Sequence, residues 1–176
     1  MSASGPDKTR ERKVIVACQV VEPELEWVRR GNSHVEIRYI DQGLHRTPKN
    51  MADFVQEQID QAVGYATQMV LAYGLCSNGI VGVTARKQGL IVPRSHDCIG
   101  LLLGSPAAYK KAFEERPGTY YLTPGWVAEK KDPLGIVEYE YEPKFGRETS
   151  MWVMEEELKH YTHIALINTG VGGLAP

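Results

Sequence analysis

Cysteine is scarce in this sequence. Three occur in 176 residues, Cys18, Cys76 and Cys98. That number is odd and too small for the disulfide framework of a secreted domain, and it favours a reducing cytoplasmic setting. Long apolar runs are missing as well. No segment approaches the roughly 20 residues that span a bilayer, and Met1–Lys13 is polar and charged where a signal or transit segment would be apolar or amphipathic. Nor is positive charge in excess: 20 Lys and Arg stand against 22 Asp and Glu, a net charge of −2. A nucleic-acid binder held by bulk charge is thereby set aside. What is present, 43% hydrophobic and 24% charged residues, is the mix of a globular domain with its own core, and the length suits one domain.

The organisation follows from where apolar residues cluster. Residues 1–13 carry four basic and two acidic side chains and no large apolar residue beyond Met1, so they read as a disordered tail, with a single domain over 14–176. Val14–Ala17 reads as a buried strand and Val35–Ile40 as an alternating, half-exposed one. Thr47-Pro48 starts a helix whose Met51, Phe54, Val55, Ile59, Ala62 and Val63 form one apolar stripe. Strands are expected at Met69–Tyr73, Leu90–Val92 and Ile164–Ile167, with short helices over Ile80–Arg86 and Cys98–Leu103. Longer helices are expected from Ser105-Pro106, with Tyr109 and Phe113 facing the core, and over Thr149–Tyr161. Thr119–Leu122 fits a strand or an extended loop. Asp132–Arg147, with its Glu-Tyr alternation, fits a β-ribbon, a lid loop or a surface strand. Strands alternating with helices predict an open, mostly parallel sheet of about five strands in the Rossmann or flavodoxin manner, a three-layer α/β/α fold. The sequence ends at Pro176, directly after a core strand. Such folds usually continue there into a helix, so the expectation is either a truncated or short form of the fold or a partner that covers that flank, with a homo-oligomer among the options.

The chemistry lies in the placement of the cysteines. Each stands at or just beyond the carboxyl end of an expected strand, and in an open parallel sheet those ends share the rim where ligands bind. Convergence of Cys18, Cys76 and Cys98, with His96 two residues from Cys98, would give three thiolates and an imidazole. That set suits zinc or an iron–sulfur cluster. His96 is then the fourth ligand or an adjacent acid–base group, Asp97 orients the imidazole or caps the following helix, and Arg94 stabilises thiolates or holds an anion. Buried structural cysteines are the plainer reading of each thiol taken singly. Phosphate binding competes through the loops Gly74-x-x-x-x-Gly79 and Gly170-x-Gly172-Gly173, in which Gly74, Asn78, Gly79, Thr169 and Gly170 would cradle a cofactor. Neither loop is a Gly-x-Gly-x-x-Gly and no Lys-Ser/Thr follows Gly79, so tight turns explain these glycines more simply. The Asp-x-His-x-x-Gly signature of cobalamin domains fails as well, with Arg94 and Ile99 at its outer positions. His45, in the loop after Asp41, reads as an ordinary loop residue.

Several runs together carry a resemblance: Tyr73-Gly74-Leu75-Cys76-Ser77-Asn78-Gly79, Pro93-Arg94-Ser95-His96-Asp97-Cys98-Ile99, Leu103-Gly104-Ser105, Tyr39-Ile40-Asp41-x-Gly43-Leu44-His45, and Gly118-Thr119-Tyr120 through Pro124-Gly125-Trp126. With them the chain resembles domain-of-unknown-function family sixteen-thirty-eight of anaerobic bacteria and archaea, over about Val14 to Gly170. The resemblance implies no assigned activity, only an association with anaerobic one-carbon metabolism and corrinoid methyl transfer. The expectation is therefore a cytoplasmic metal-binding protein, zinc or iron–sulfur, acting in redox or group-transfer chemistry on a small molecule as a transferase or oxidoreductase component. The alternatives are a non-catalytic accessory protein serving a partner metalloenzyme, and a corrinoid-linked methyltransferase in which zinc activates a thiol.

Overall fold

Three apolar strands build the centre of the molecule. A computed structural model describes residues 11–46, 48–76 and 78–171. Strand β1 (Lys13–Cys18) lies between β2 (Val35–Ile40) and β3 (Gln68–Ala72), all parallel, in the order β2-β1-β3. β1 is central because it is apolar on both faces, so it gains most from being covered twice. Its register pairs Ala17 with Tyr39 on one side and Ala72 on the other, which brings the carboxyl ends of all three strands to one rim. Between β1 and β2 runs helix α1 (Glu22–Arg29), started by Pro23 in its first turn. Between β2 and β3 runs α2 (Pro48–Ala62), whose Met51, Val55, Ile59 and Ala62 are fully buried against the sheet. These residues recur at helical spacing on one face, as the sequence predicts, while Phe54, expected in the same stripe, is exposed.

The five-strand sheet is not what forms. Ile91 adds only a single bridge beside Val70, with Leu71 N–H donating to its carbonyl at 2.8 Å. Residues 80–86 are turn and irregular chain rather than helix. Gly82 there takes positive φ and Gly89 follows with another, a conformation that interrupts both helix and strand. The last expected strand joins a different sheet. After α3 (Cys98–Leu102) and α4 (Pro106–Glu115), strand β4 (Thr119–Leu122) pairs in parallel with β5 (His163–Leu166) as a separate two-stranded sheet.

Helices fill the space between those two strands. They are α5 (Pro124–Ala128), α6 (Pro133–Ile136), a five-residue π-type turn over Val137–Tyr141, α7 (Glu142–Phe145) and α8 (Arg147–Leu158). Asp132 starts this run by accepting the Gly135 N–H, so the Glu-Tyr alternation winds helically and no ribbon or lid forms. Phe113, Trp152 and Tyr161 are exposed rather than turned into a core.

The disordered tail falls largely outside the described residues, which begin at position 11. Its last residues are ordered: Lys13 is already in β1 and Arg12 accepts the Thr67 N–H through its carbonyl. Thr47, the expected cap of α2, and Gly172 and Gly173 also lie outside the described residues. Among the described residues no helix is long and apolar enough to cross a membrane.

Candidate functional site at the rim of the sheet

Both sheets direct their carboxyl ends at the turn joining β1 to α1. Leaving β4, Gly125 packs so closely on Val20 that a Cβ would fall on the Val20 carbonyl oxygen. Leaving β5, Thr169 donates its hydroxyl to Glu24 Oε1 at 2.7 Å. The rim of the first sheet is therefore the floor of a junction rather than an open edge. Cys18 ends β1 and is buried there.

Two further loops close over this floor. The segment leaving β3 and the segment leading to α3 are clamped together by backbone bonds, Leu75 N–H to the Ser95 carbonyl at 2.9 Å and Cys76 N–H to the His96 carbonyl at 2.8 Å. Their approach is close enough that a Cβ on Gly74 would fall on the Asp97 backbone. Gly74 is thus required by loop packing, and Gly79 likewise stands against the Met51 thioether and the Cys76 carbonyl. The space beside both glycines is filled by protein atoms. Cys76 itself takes a left-handed φ of 45°, an unfavourable backbone for a residue with a Cβ, held by the surrounding clamp. Asn78 shares that sign with φ 66°, which asparagine tolerates well.

The clamp brings the three thiols together. All are buried and none is in a disulfide. Burial pushes Cys76 up to about 12, with Cys18 and Asp97 pushing the same way and the Gly74 and Cys98 N–H groups pulling against them. Burial also raises Cys98, helped by Cys18, Cys76 and Asp97. Cys18 is raised by burial, with Asp41 adding to it and the Val20 N–H and Tyr73 hydroxyl opposing. Each thiol is thus within electrostatic reach of the others, and each is a neutral S–H at neutral pH in the metal-free chain. Among the described residues, however, no three His, Cys, Asp or Glu side chains close on one point as the ligands of a single ion.

Two neighbours complete the cluster, and neither stands out in the sequence. His45 places Nε2 at 3.5 Å from the Cys18 sulfur, and its ring stacks on Tyr73 at 5.7 Å. Burial lowers the His45 pKa, favouring neutral imidazole. Tyr73 is fully buried, and its hydroxyl closes no hydrogen bond of normal geometry. Burial raises its pKa, as do all three thiols. A buried phenol is costly unless it is satisfied, and the group nearest to satisfying this one is the Cys18 sulfur.

His96 and Arg94 are not brought in. Both are exposed: the chain turns at Ser95, whose hydroxyl donates to the Asp97 carbonyl at 2.8 Å, so only the His96 backbone meets the thiols. The imidazole beside the cysteines is His45. Asp97 caps α3 by accepting the Gly100 N–H at 3.0 Å, which meets the capping expectation; it has no His96 side chain to orient. Thr169 is engaged with α1, and Gly170 turns at positive φ with its N–H donated to Asn168 Oδ1.

Comparison with known proteins yields one family. The family model described as protein of unknown function, DUF1638, matches residues 39–175. The match includes Cys76, Cys98, His45 and Tyr73, while Cys18 precedes it. No curated protein and no solved structure matches the chain. The chain belongs to the DUF1638 family.

Proposed function

We propose that the chain holds a soft-metal centre on Cys18, Cys76 and Cys98 and uses it in redox or group-transfer chemistry on a small molecule. The observation that carries this reading is the convergence of three buried thiols, Cys18 raising the pKa of Cys76 and both raising that of Cys98, around the buried Tyr73 hydroxyl. A soft cation that displaces the thiol protons turns mutual repulsion into shared attraction. The N–H groups of Val20, Gly74 and Cys98 already lean on the sulfurs, and such donors favour thiolates. The Tyr73 hydroxyl would then donate to a metal-bound sulfur.

An iron–sulfur cluster is the form of centre that the arrangement favours. A cluster separates its cysteines because each binds a different iron, so thiols carried by three different segments can share one. With three cysteines on the protein, one iron is left for His45 or for a small molecule. A closed zinc site with His96 as fourth ligand has no support from the exposed His96 ring.

The test is the full chain purified without oxygen. Iron and acid-labile sulfide in brown protein, lost in Cys18→Ser, Cys76→Ser and Cys98→Ser and kept in His96→Ala, is the expected result. One zinc in colourless protein would keep the site and overturn its cluster form. Three thiols that titrate freely, with no metal taken up on reconstitution, would overturn the reading altogether.

A further inference from the structure

A cavity of about 380 Å³ is lined in part by Asp97 and Ile99, the residues on either side of Cys98 in sequence. Six aromatic rings wall it: Tyr109, Phe113, Tyr120, Tyr121, Trp126 and Tyr161. They are not a flat stack. Tyr120 and Tyr161 meet edge to face at 5.1 Å and 80°, and Tyr109 and Tyr121 stand tilted by 53° at 6.4 Å. Rings in several orientations wrap a compact ligand and leave no single slot for a planar one. Phe113, on α4, and Tyr161, in the link between α8 and β5, are half exposed, so these rings stand at the surface and are not turned into the core.

Two charged side chains share the lining, of opposite sign. Asp97 is fixed by its capping bond to Gly100 N–H, and the Tyr109 hydroxyl faces the same carboxylate. Arg116, just beyond the end of α4, is exposed and has no ion-pair partner among the described residues. Ring faces carry partial negative charge and attract cations, most strongly where water is excluded. A carboxylate among them adds to that attraction, and a free guanidinium at the lining matches a carboxylate in the ligand.

We infer that this cavity binds a small organic zwitterion, its ammonium group among the aromatic rings against Asp97 and its carboxylate on Arg116. The size lies at the low end for ligand cavities, which fits a ligand of a few heavy atoms. An anion alone would meet Asp97, and a neutral aromatic ligand would leave both charges unused. The pocket stands by itself as a binding site. Only its place beside Cys98, which sets the bound ligand next to a reactive centre, rests on the metal reading above.

Three probes and the metal-free full chain separate the contributions in a calorimetric titration. Trimethylglycine carries both charges, choline only the cation, and 3,3-dimethylbutan-1-ol is choline's neutral isostere. The expected result is binding of trimethylglycine, about tenfold weaker binding of choline, and no measurable binding of the alcohol. Arg116→Gln should reduce trimethylglycine to the level of choline while leaving choline unchanged. Tyr161→Leu, at a half-exposed wall position that does not threaten folding, should weaken both cations. Alcohol binding as tight as choline would overturn the inference in favour of a merely apolar cavity, and so would failure of trimethylglycine to bind or indifference to Arg116→Gln. Because the chain is metal-free in this experiment, loss of the metal reading leaves the outcome untouched.

Discussion

The two parallel sheets differ in how completely they are covered. Around β1 the side chains Val14, Val16, Met51, Val55 and Ile59 have no solvent exposure. Along β5, Ile164 is 74% exposed and Leu166 52%. One sheet is a packed core that fixes three thiols at its rim, and the other is a shallow platform that holds aromatic side chains at the surface. On the reading proposed above, the difference divides the work. A reactive centre needs rigid, desolvated ligands, which dense packing supplies, whereas a recognition surface needs accessible rings and unpaired charges. Asp97 stands on the boundary, near Cys76 and Cys98 on one side and lining the cavity on the other.

The contrast is broken most directly by removing core volume. Leu71→Ala, deep in β3, should cost about 3 kcal/mol in urea unfolding, within the usual range for a buried leucine. An equal loss from Leu166→Ala would contradict the division. Next comes the loop clamp. Gly74→Ala forces the Asp97 backbone away and should cost about 2 kcal/mol, and it should open Cys76 and Cys98 to alkylating reagents that the native chain excludes. Titration gives a third test on metal-free protein. With Cys76 held neutral by burial up to about 12, against 9.0 for an ordinary thiol, its thiolate at pH 8 amounts to about 1 in 10⁴. Alkylation should therefore be slow at neutral pH. The sign for stability follows: the unfolded chain ionises first, so the thiol's contribution is complete below pH 9 and is lost as pH rises toward 12. Stability that rises over that window would contradict the burial of the cluster. The smallest effect belongs to the platform, where Leu166→Ala should change stability by no more than about 0.5 kcal/mol.

Much of the packed region is legible in the sequence, and little of the platform. Val14–Ala17 and Met69–Leu71 are continuous apolar runs, and such runs have few places to go except the middle of a parallel sheet. Cys18 and Cys76 could be placed at strand exits for that reason alone, whereas Cys98 opens α3 after a segment that adds only one bridge to the sheet. His45 reads as an ordinary loop residue because a short helical turn after Asp41 carries no pattern that aims its ring at Cys18. His96 stands near Cys98 in sequence, yet the chain bends through His96 and Asp97 before α3 begins at Cys98, so that nearness does not aim the ring at the thiols. Tyr73 reads as an ordinary core aromatic, and only the place of its hydroxyl among the three sulfurs separates it from one. The second sheet is hidden because an apolar run such as Ile164–Ile167 does not say which sheet it joins. The Glu138–Glu142 alternation has strand period, but Asp132-Pro133 starts a helical run upstream that carries through it.

X-ray absorption at the metal edge of anaerobically purified protein tests the central claim most directly. The account predicts iron surrounded by sulfur at about 2.3 Å with a second iron shell beyond it, and loss of that signal when Cys18, Cys76 and Cys98 are replaced together by serine. Scattering from oxygen and nitrogen alone, unchanged by the triple replacement, would contradict it.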